Sequence, residues 1–504
     1  MKSRTQKAFL NMSTSLVAQI VSIICGLITP RLILTNFGST YNGVTASATQ
    51  FLGMLNILTL GITGATRIAL YKPLAENDTL TVSRLMKASK QYMRKLSMCV
   101  VAYIVALCIV YPLVSTNDLT WAQNVVLILI VGISSLANYL FGVNNTILLQ
   151  ASQSNYVTNI ADTIKIIINT VCTAFLISFG CSIYTVKLGS SLIYFVAPLI
   201  ISIYIHRKFT LTNDCEPLET EGKSRKAVAA HSIANIIHDN VDLVTLTFFV
   251  DAKMISVYTV YNTIVSKIKM LLRVFTSGME AAFGDMWVKR EYNTLARSFK
   301  TYEYMMFTLT TVIFSCVGIL LLPFVRVYTS GVNDINYILP TFAALVTIAE
   351  GIYCIRQPYM TLVYATGSYE QTKKVAIVEA GINLTLSIVL VNVMGISGVI
   401  MATIVANLFC TSMFIYFTSK RILKRSISVV ILRVIWVLLC IALTTVLSNI
   451  IGKAIAYSVS WIGWLVEAII VFTISVVITL LMSLLFYRDD LLSLMKKALS
   501  VVKK

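Results

Sequence analysis

What most constrains this chain is the recurrence of apolar segments long enough to cross a bilayer, from its first residues almost to its C-terminus. A hydrocarbon core about 30 Å thick takes about 20 helical residues, and each segment must pair its own backbone N–H and C=O groups there. We read fourteen spans, the first near 8–34 and the last near 461–487. No polar stretch between them is long enough for a soluble domain, so the chain is expected to be an all-α integral membrane protein. Only 12% of the 504 residues are charged, and the formal charge of +19 follows from the spans rather than from nucleic-acid binding. Lys and Arg crowd the N-terminus, alternate connections and the tail, whereas the opposite connections hold only Lys253, Arg326 and Lys453. An even number of spans with both termini cytoplasmic satisfies that asymmetry. The ten cysteines show no CxxC and no Cys/His metal spacing. The basic start MKSRTQKAFL leads into an apolar run without a small-residue cleavage site, which reads as an uncleaved first helix.

The longest polar interruption, residues 206–226, separates two halves of six spans each. A slide of 213 or 214 residues lays LTVSRLMK on NTLARSFK and QASQSNY beside YATGSYE, aligning Arg84 with Arg297, Ala151 with Ala365, Ser154 with Ser368 and Asn169 with Asn383. Copies of six spans enter the membrane from the same side, so they are expected as two parallel six-helix lobes with a substrate site between them. The expected organisation is an N-terminal lobe over 1–206, a cytoplasmic connector over 207–226, a C-terminal lobe over 227–420, and two extra spans with a basic tail over 421–504.

Polar faces mark four spans. In span eight, Ser266, Lys269, Arg273, Ser277, Glu280 and Gly284 share one helical face, with Lys267 beside them. A charge facing lipid at mid-bilayer costs at least about 2.5–3.5 kcal/mol, so these face protein or a water-filled cavity. Three of the four charges are cationic, which suits an anionic cargo. Span one carries Asn11, Ser15, Gln19, Ser22, Gly26 and Thr29 before Pro30 and Arg31; span two carries Thr45, Thr49, Gly53, Asn56, Thr59, Thr63 and Arg67. Span seven carries His231, Asn235, His238, Asp242 and Thr245, with Asp239 adjacent. As the first two helices of each half, these are expected to line one shared cavity, although Ser, Thr and Asn stripes also serve as interhelical glue. Asp162 and Lys165 in span five stand at i, i+3 and read either as a structural pair or as functional; Glu350, Arg356 and Glu379 are equally ambiguous. Arg433, near a span start, is expected to snorkel to the cytoplasmic face.

The opening LNMSTSLVAQIVSIICGLITPRLIL, then NFGSTYNGV, then LGITGATRIALYKPLAEND running into a basic loop, resemble the oligosaccharide-lipid flippases of polysaccharide biosynthesis, within the multidrug/oligosaccharidyl-lipid/polysaccharide (MOP) exporter superfamily. The resemblance spans the whole chain, including the two extra C-terminal spans. It implies alternating access that moves undecaprenyl-diphosphate-linked oligosaccharide repeat units from the cytoplasmic to the outer leaflet of the inner (cytoplasmic) membrane, for O-antigen, capsule or exopolysaccharide assembly. It further implies that Arg31, Arg67 and Arg273 bind diphosphate. With Lys267, Lys269, Asn56 and Thr63 they form the expected diphosphate and sugar site. The implied partners are membrane lipids, a polysaccharide polymerase and a chain-length regulator, around a monomer.

The alternative is a cation-coupled multidrug antiporter of the MATE type on the same fold. A site for cationic drugs favours carboxylates and aromatics, whereas the cavity helices hold more cations than acids. An enzyme is disfavoured, since the first external connection, TNFGSTYNG, has no acid, and there is no P-loop to use ATP. Neither cofactor nor metal is expected. Two negative charges leaving a cell interior held negative gain about 4–5 kcal/mol per 100 mV. The return of the empty carrier would use H+ or Na+ held by Asp239, Asp242 or Glu280 with His238 as proton partner, unless these acids merely pair with Lys267, Lys269 and Arg273.

Overall fold

A computed structural model describes residues 4–212, 214–218, 240–455 and 459–502. The protein is a multi-pass, all-helical membrane protein. By packing it divides into one unit of Met1–Thr259 with Val332–Ile335, and a second of Val260–Gly331 with Asn336–Lys504. The first unit contains α1 (Arg4–Phe37), α2 (Ser39–Met54), α3 (Leu60–Glu76), α4 (Thr79–Val114), α5 (Trp121–Ala137), α6 (Val143–Ala151), α7 (Asn155–Ser178), α8 (Ile183–Ile193), α9 (Val196–Lys208) and α10 (Asn240–Phe249). α11 (Ala252–Val288) continues into the second unit, followed by α12 (Tyr292–Tyr328), α13 (Pro340–Ala365), α14 (Tyr369–Met394), α15 (Ile396–Phe417), α16 (Ser428–Ile455), α17 (Trp461–Phe486) and α18 (Arg488–Val502).

Among the described residues ten helical segments are long and apolar enough to cross a membrane, or eleven when α2 and α3 count as one span bent by 46°. α11 and α13, with 37 and 26 residues, are long enough but are diluted by charges such as Lys269, Glu350 and Arg356. With α10 the total is about fourteen, as the hydropathy pattern predicts.

In the first unit α4 starts at Asp78, whose carboxylate accepts from Thr81 N at 3.0 Å and satisfies an orphan first-turn donor. Those hydrogen bonds, first to Thr81, hold the Asp78 carboxyl below the usual carboxylate range. α5 begins with a capping box between Thr120 and Gln123. Val44, Ala48, Val100, Leu127 and Ile128, all buried, bind α2, α4 and α5 into a core. At one end of this unit α2 meets the start of α11 so closely that a Cβ on Gly43 would lie 1.8 Å from the Ala252 carbonyl oxygen. Hydrogen bonds flank that approach: Ser39 donates from N and Oγ to Asp334 at 2.7 and 2.6 Å, and Asn42 donates to Ser256 at 2.7 Å.

The internal repeat is visible in the backbone. α6 ends at Ala151 and α13 at Ala365; Gln153 and Gly367 follow with φ of 56° and 68°, and α7 and α14 begin at Asn155 and Tyr369. The turn hydrogen bonds match as well, Ser154 N to Leu149 O and Ser368 N to Val363 O. Each pair is separated by the offset of 214 seen in the sequence.

In the second unit α16 and α17 pack on α12 and expose Ile450, Ile462 and Leu485 on their outer sides, as lipid-facing helices do. Charges fix their ends. Glu303 of α12, fully buried, binds both Arg433 of α16 and Arg425, and accepts from Tyr359 Oη at 2.7 Å. Arg433 also reaches Asp490 of α18 at 3.1 Å, and Asp490 binds Lys300 at 2.8 Å. The snorkelling expected of Arg433 is therefore incorrect. Its side chain is 2% exposed, because a carboxylate 130 residues upstream offers an ion pair that the local sequence does not reveal.

Removing one partner from such a buried network leaves the other charge uncompensated, at a cost of about 3–5 kcal/mol. Glu303→Ala is expected to lower unfolding stability by about that amount, measured by SDS unfolding in mixed micelles. Glu303→Ala with Arg433→Met and Arg425→Met is expected to recover most of the loss. Unchanged stability in the single variant would show the network to be incidental.

Candidate functional site

In the first unit the predicted residues lie on α1, the α2–α3 span and α10. Arg31 follows Pro30 inside α1 and is half-buried. Arg67, on α3, is exposed and reaches Gln150 Oε1 at 3.4 Å. Thr63 is half-buried on the same helix. Asn56 sits in a 3-10 turn, Leu55–Thr59, where its Oδ1 accepts from Tyr139 Oη at 3.2 Å. Asp242 on α10 is buried and accepts from Tyr258 Oη at 3.2 Å.

Much of the polar striping here is adhesive. Asn11 Oδ1 accepts from Tyr156 N at 2.7 Å and Thr29 meets Thr170 at 3.1 Å, tying α1 to α7. Thr247 donates to Ser47 at 3.1 Å, and Gln50 to Asn240 Oδ1 at 2.7 Å, tying α10 to α2. Inside a membrane these replace hydrogen bonds that lipid cannot make. The Asp162–Lys165 pair is formed at 2.6 Å.

In the second unit α11 carries Lys267, Lys269 and Glu280, all half-buried. Lys269 Nζ lies 2.8 Å from Glu350 and 4.5 Å from the centre of the Tyr353 ring. An ammonium inserted among helices is stabilised by both partners, the carboxylate and the ring face. Deeper in the unit Arg356 binds Glu379, both largely buried, with the guanidinium 4.9 Å from the same Tyr353 ring. The ambiguous trio Glu350, Arg356 and Glu379 is therefore resolved into ion pairs. Sequence reasoning left out the pairing of Lys269 with Glu350, since residues on α11 and α13 share no helical register. The side chain of Arg273, and His238 and Asp239 altogether, lie outside the described residues.

With this geometry in place, comparison with known proteins assigns the fold. No protein-family model and no curated protein matches the chain. Solved structures do: the lipid II flippase MurJ in an inward closed conformation aligns over 94% of this chain and 99% of its own, at TM-score 0.69 and 16% identity. The MATE multidrug transporter DinF-BH aligns over 82% and 96%, at 0.61 and 16%. A MOP superfamily transporter from Pyrococcus furiosus aligns over 84% and 97%, at 0.57 and 11%. The chain has the fold of the MOP superfamily.

The Lys269–Glu350 pair yields a quantitative expectation. A double-mutant cycle with Lys269→Met and Glu350→Leu is expected to return a favourable coupling of about 0.5–3 kcal/mol, read by SDS unfolding. Additive losses would show that the two charges do not interact.

Proposed function

We propose that this protein is a flippase for lipid-linked oligosaccharide, moving undecaprenyl-diphosphate-bound repeat units from the inner to the outer leaflet of the cytoplasmic membrane, with both termini cytoplasmic. The observation that carries the reading is the exposed Arg67 on α3, set among apolar neighbours such as Ile68 and Leu70. An arginine kept at membrane depth without a carboxylate among its described partners is costly unless it meets an anion, and its planar fork suits phosphate oxygens. In the second unit, the sequence of α11 carries Lys267 and Arg273 as further cations. No bond is made or broken. The diphosphate is bound by cations, and hydroxyl and amide side chains such as Asn56 and Thr63 accept sugar hydroxyls. Length supports the same reading: the MurJ alignment includes nearly the whole chain, whereas the alignment to the multidrug transporter DinF-BH leaves about a sixth of it unmatched.

A cation antiporter of the MATE type is favoured by one feature, the buried carboxylate of Asp242. The two readings separate on the arginines. Arg67→Ala and Arg273→Ala are each expected to abolish surface polysaccharide and to accumulate lipid-linked oligosaccharide in the inner leaflet, at normal protein levels. Arg67→Lys is expected to restore only part, because an ammonium lacks the bidentate fork. Normal polysaccharide in both Ala variants, with altered resistance to cationic dyes, would establish the antiporter.

A further inference from the structure

Three spans of the first unit are broken, and the breaks meet at one cavity. α2 passes to α3 through the 3-10 turn Leu55–Thr59, α5 to α6 through a π turn at Asn138–Gly142, and α8 to α9 at Tyr194 and Phe195. Asn56, Asn138, Gly142 and Tyr194, one or two from each break, line a cavity of about 470 Å³. Irregular backbone at membrane depth persists only where its polar groups are buried in protein or line a polar cavity, and broken helices are where transporters build binding sites.

α7 also lines the cavity. Its Asp162 and Lys165 face the cavity as an ion pair, and Lys165 Nζ lies 5.3 Å from the centre of the Tyr194 ring. Ser134, Ser135 and Thr158 add hydroxyls, and the Thr158 oxygen is buried with no hydrogen-bond partner among the described residues. Gly142 keeps the space open: a Cβ there would lie 2.6 Å from Asn138 Oδ1 and 3.8 Å from Pro198.

The second unit shows what the same position looks like when filled. Of its corresponding spans, α11 and α13 run unbroken, and α15 passes into a π turn only at its end, Thr418–Ile422. At the offset of 214, Gly142 corresponds to Arg356, Asp162 to Ala376 and Lys165 to Glu379. Arg356 and Glu379 are the buried ion pair described above. One half of the repeat is plugged by a guanidinium and a carboxylate where the other is hollow and lined with hydroxyl and amide groups.

The lining selects the occupant. Its one carboxylate and one ammonium already neutralise each other, so a free cation meets Lys165 and a free anion meets Asp162. A neutral molecule rich in hydroxyls satisfies Asn56, Asn138, Ser135 and Thr158 together, and its apolar face can rest on the Tyr139 and Tyr194 rings. We propose that this cavity binds a neutral saccharide unit. On the flippase reading, on which this source rests, that unit belongs to the sugar portion of the cargo.

The test uses the full chain in nanodiscs and saturation-transfer NMR, with chitobiose and maltotriose as saccharide probes and inorganic pyrophosphate as a separate probe. Gly142→Arg/Asp162→Ala/Lys165→Glu gives the first half the residues of the second. It is expected to weaken saccharide binding by about tenfold or more while leaving pyrophosphate binding intact. Asn138→Leu, which keeps the side chain's branching but removes its polar atoms, is expected to weaken the saccharide several-fold and guards against misfolding of the triple variant. No transfer to either saccharide in the parent, equal transfer in all variants, or binding of ²²Na+ that the triple variant alone abolishes, would each overturn the proposal. Arg67→Ala reports on the flippase reading independently: it is expected to remove pyrophosphate binding and spare the saccharides. Pyrophosphate binding unchanged in Arg67→Ala, alongside lost saccharide binding in the triple variant, would retain the cavity and reject the diphosphate assignment.

Discussion

The structure depends on one constraint: within a bilayer, charge and unpaired backbone must find partners inside the protein. Where this chain places an ionisable group among its helices, the described structure usually supplies a counter-charge. Lys165 has Asp162, Lys269 has Glu350, Arg356 has Glu379, and Arg433 has both Glu303 and Asp490. Buried pairs of this kind are weak sources of net stability, because desolvation offsets the attraction. Their value here is registry. Glu303 with Arg425 and Arg433 sets where α16 can lie along α12, and Arg433 with Asp490 does the same for α18. Trp464 and Ser475 of α17 add hydrogen bonds to the α12 carbonyls of Leu320 and Val312.

Arg67, like Lys187 of α8, has no described counter-charge. It is exposed, its hydrogen bond to the Gln150 amide is a long one, and no described carboxylate pairs with it. The contrast between satisfied charges and this arginine is the physical basis for reading an anionic cargo. The same contrast appears between the two halves of the repeat, one holding an ion pair where the other holds a polar cavity.

The spans were legible in the sequence because hydropathy follows from the bilayer directly, and the repeat was legible because QASQSNY and YATGSYE keep one turn geometry, with positive φ at Gln153 and Gly367. Asp162 with Lys165 was legible as a pair because i, i+3 spacing is local. The helix breaks were not. LNILT carries no Pro or Gly, and Gly142 in NYLFG is an ordinary helix residue until the cavity beside it is known. Nor could the partners of Arg433 and Lys269 be read, since Glu303 and Glu350 reach them only through tertiary packing. A polar stripe on one helix does not say whether it meets cargo or another helix, and Asn11, Ser47 and Gln50 meet helices.

A diphosphate-linked lipid cargo would carry negative charge outward. The most direct measurement is leaflet-resolved transport in proteoliposomes with the membrane potential clamped, offering undecaprenyl-diphosphate-linked oligosaccharide in one set and a rhodamine cation in another. The expected result is outward movement of the lipid that accelerates when the side bearing the basic loops is made negative, and no protein-dependent movement of the dye. Movement of the dye coupled to an ion gradient, with the lipid left in its original leaflet, would contradict it.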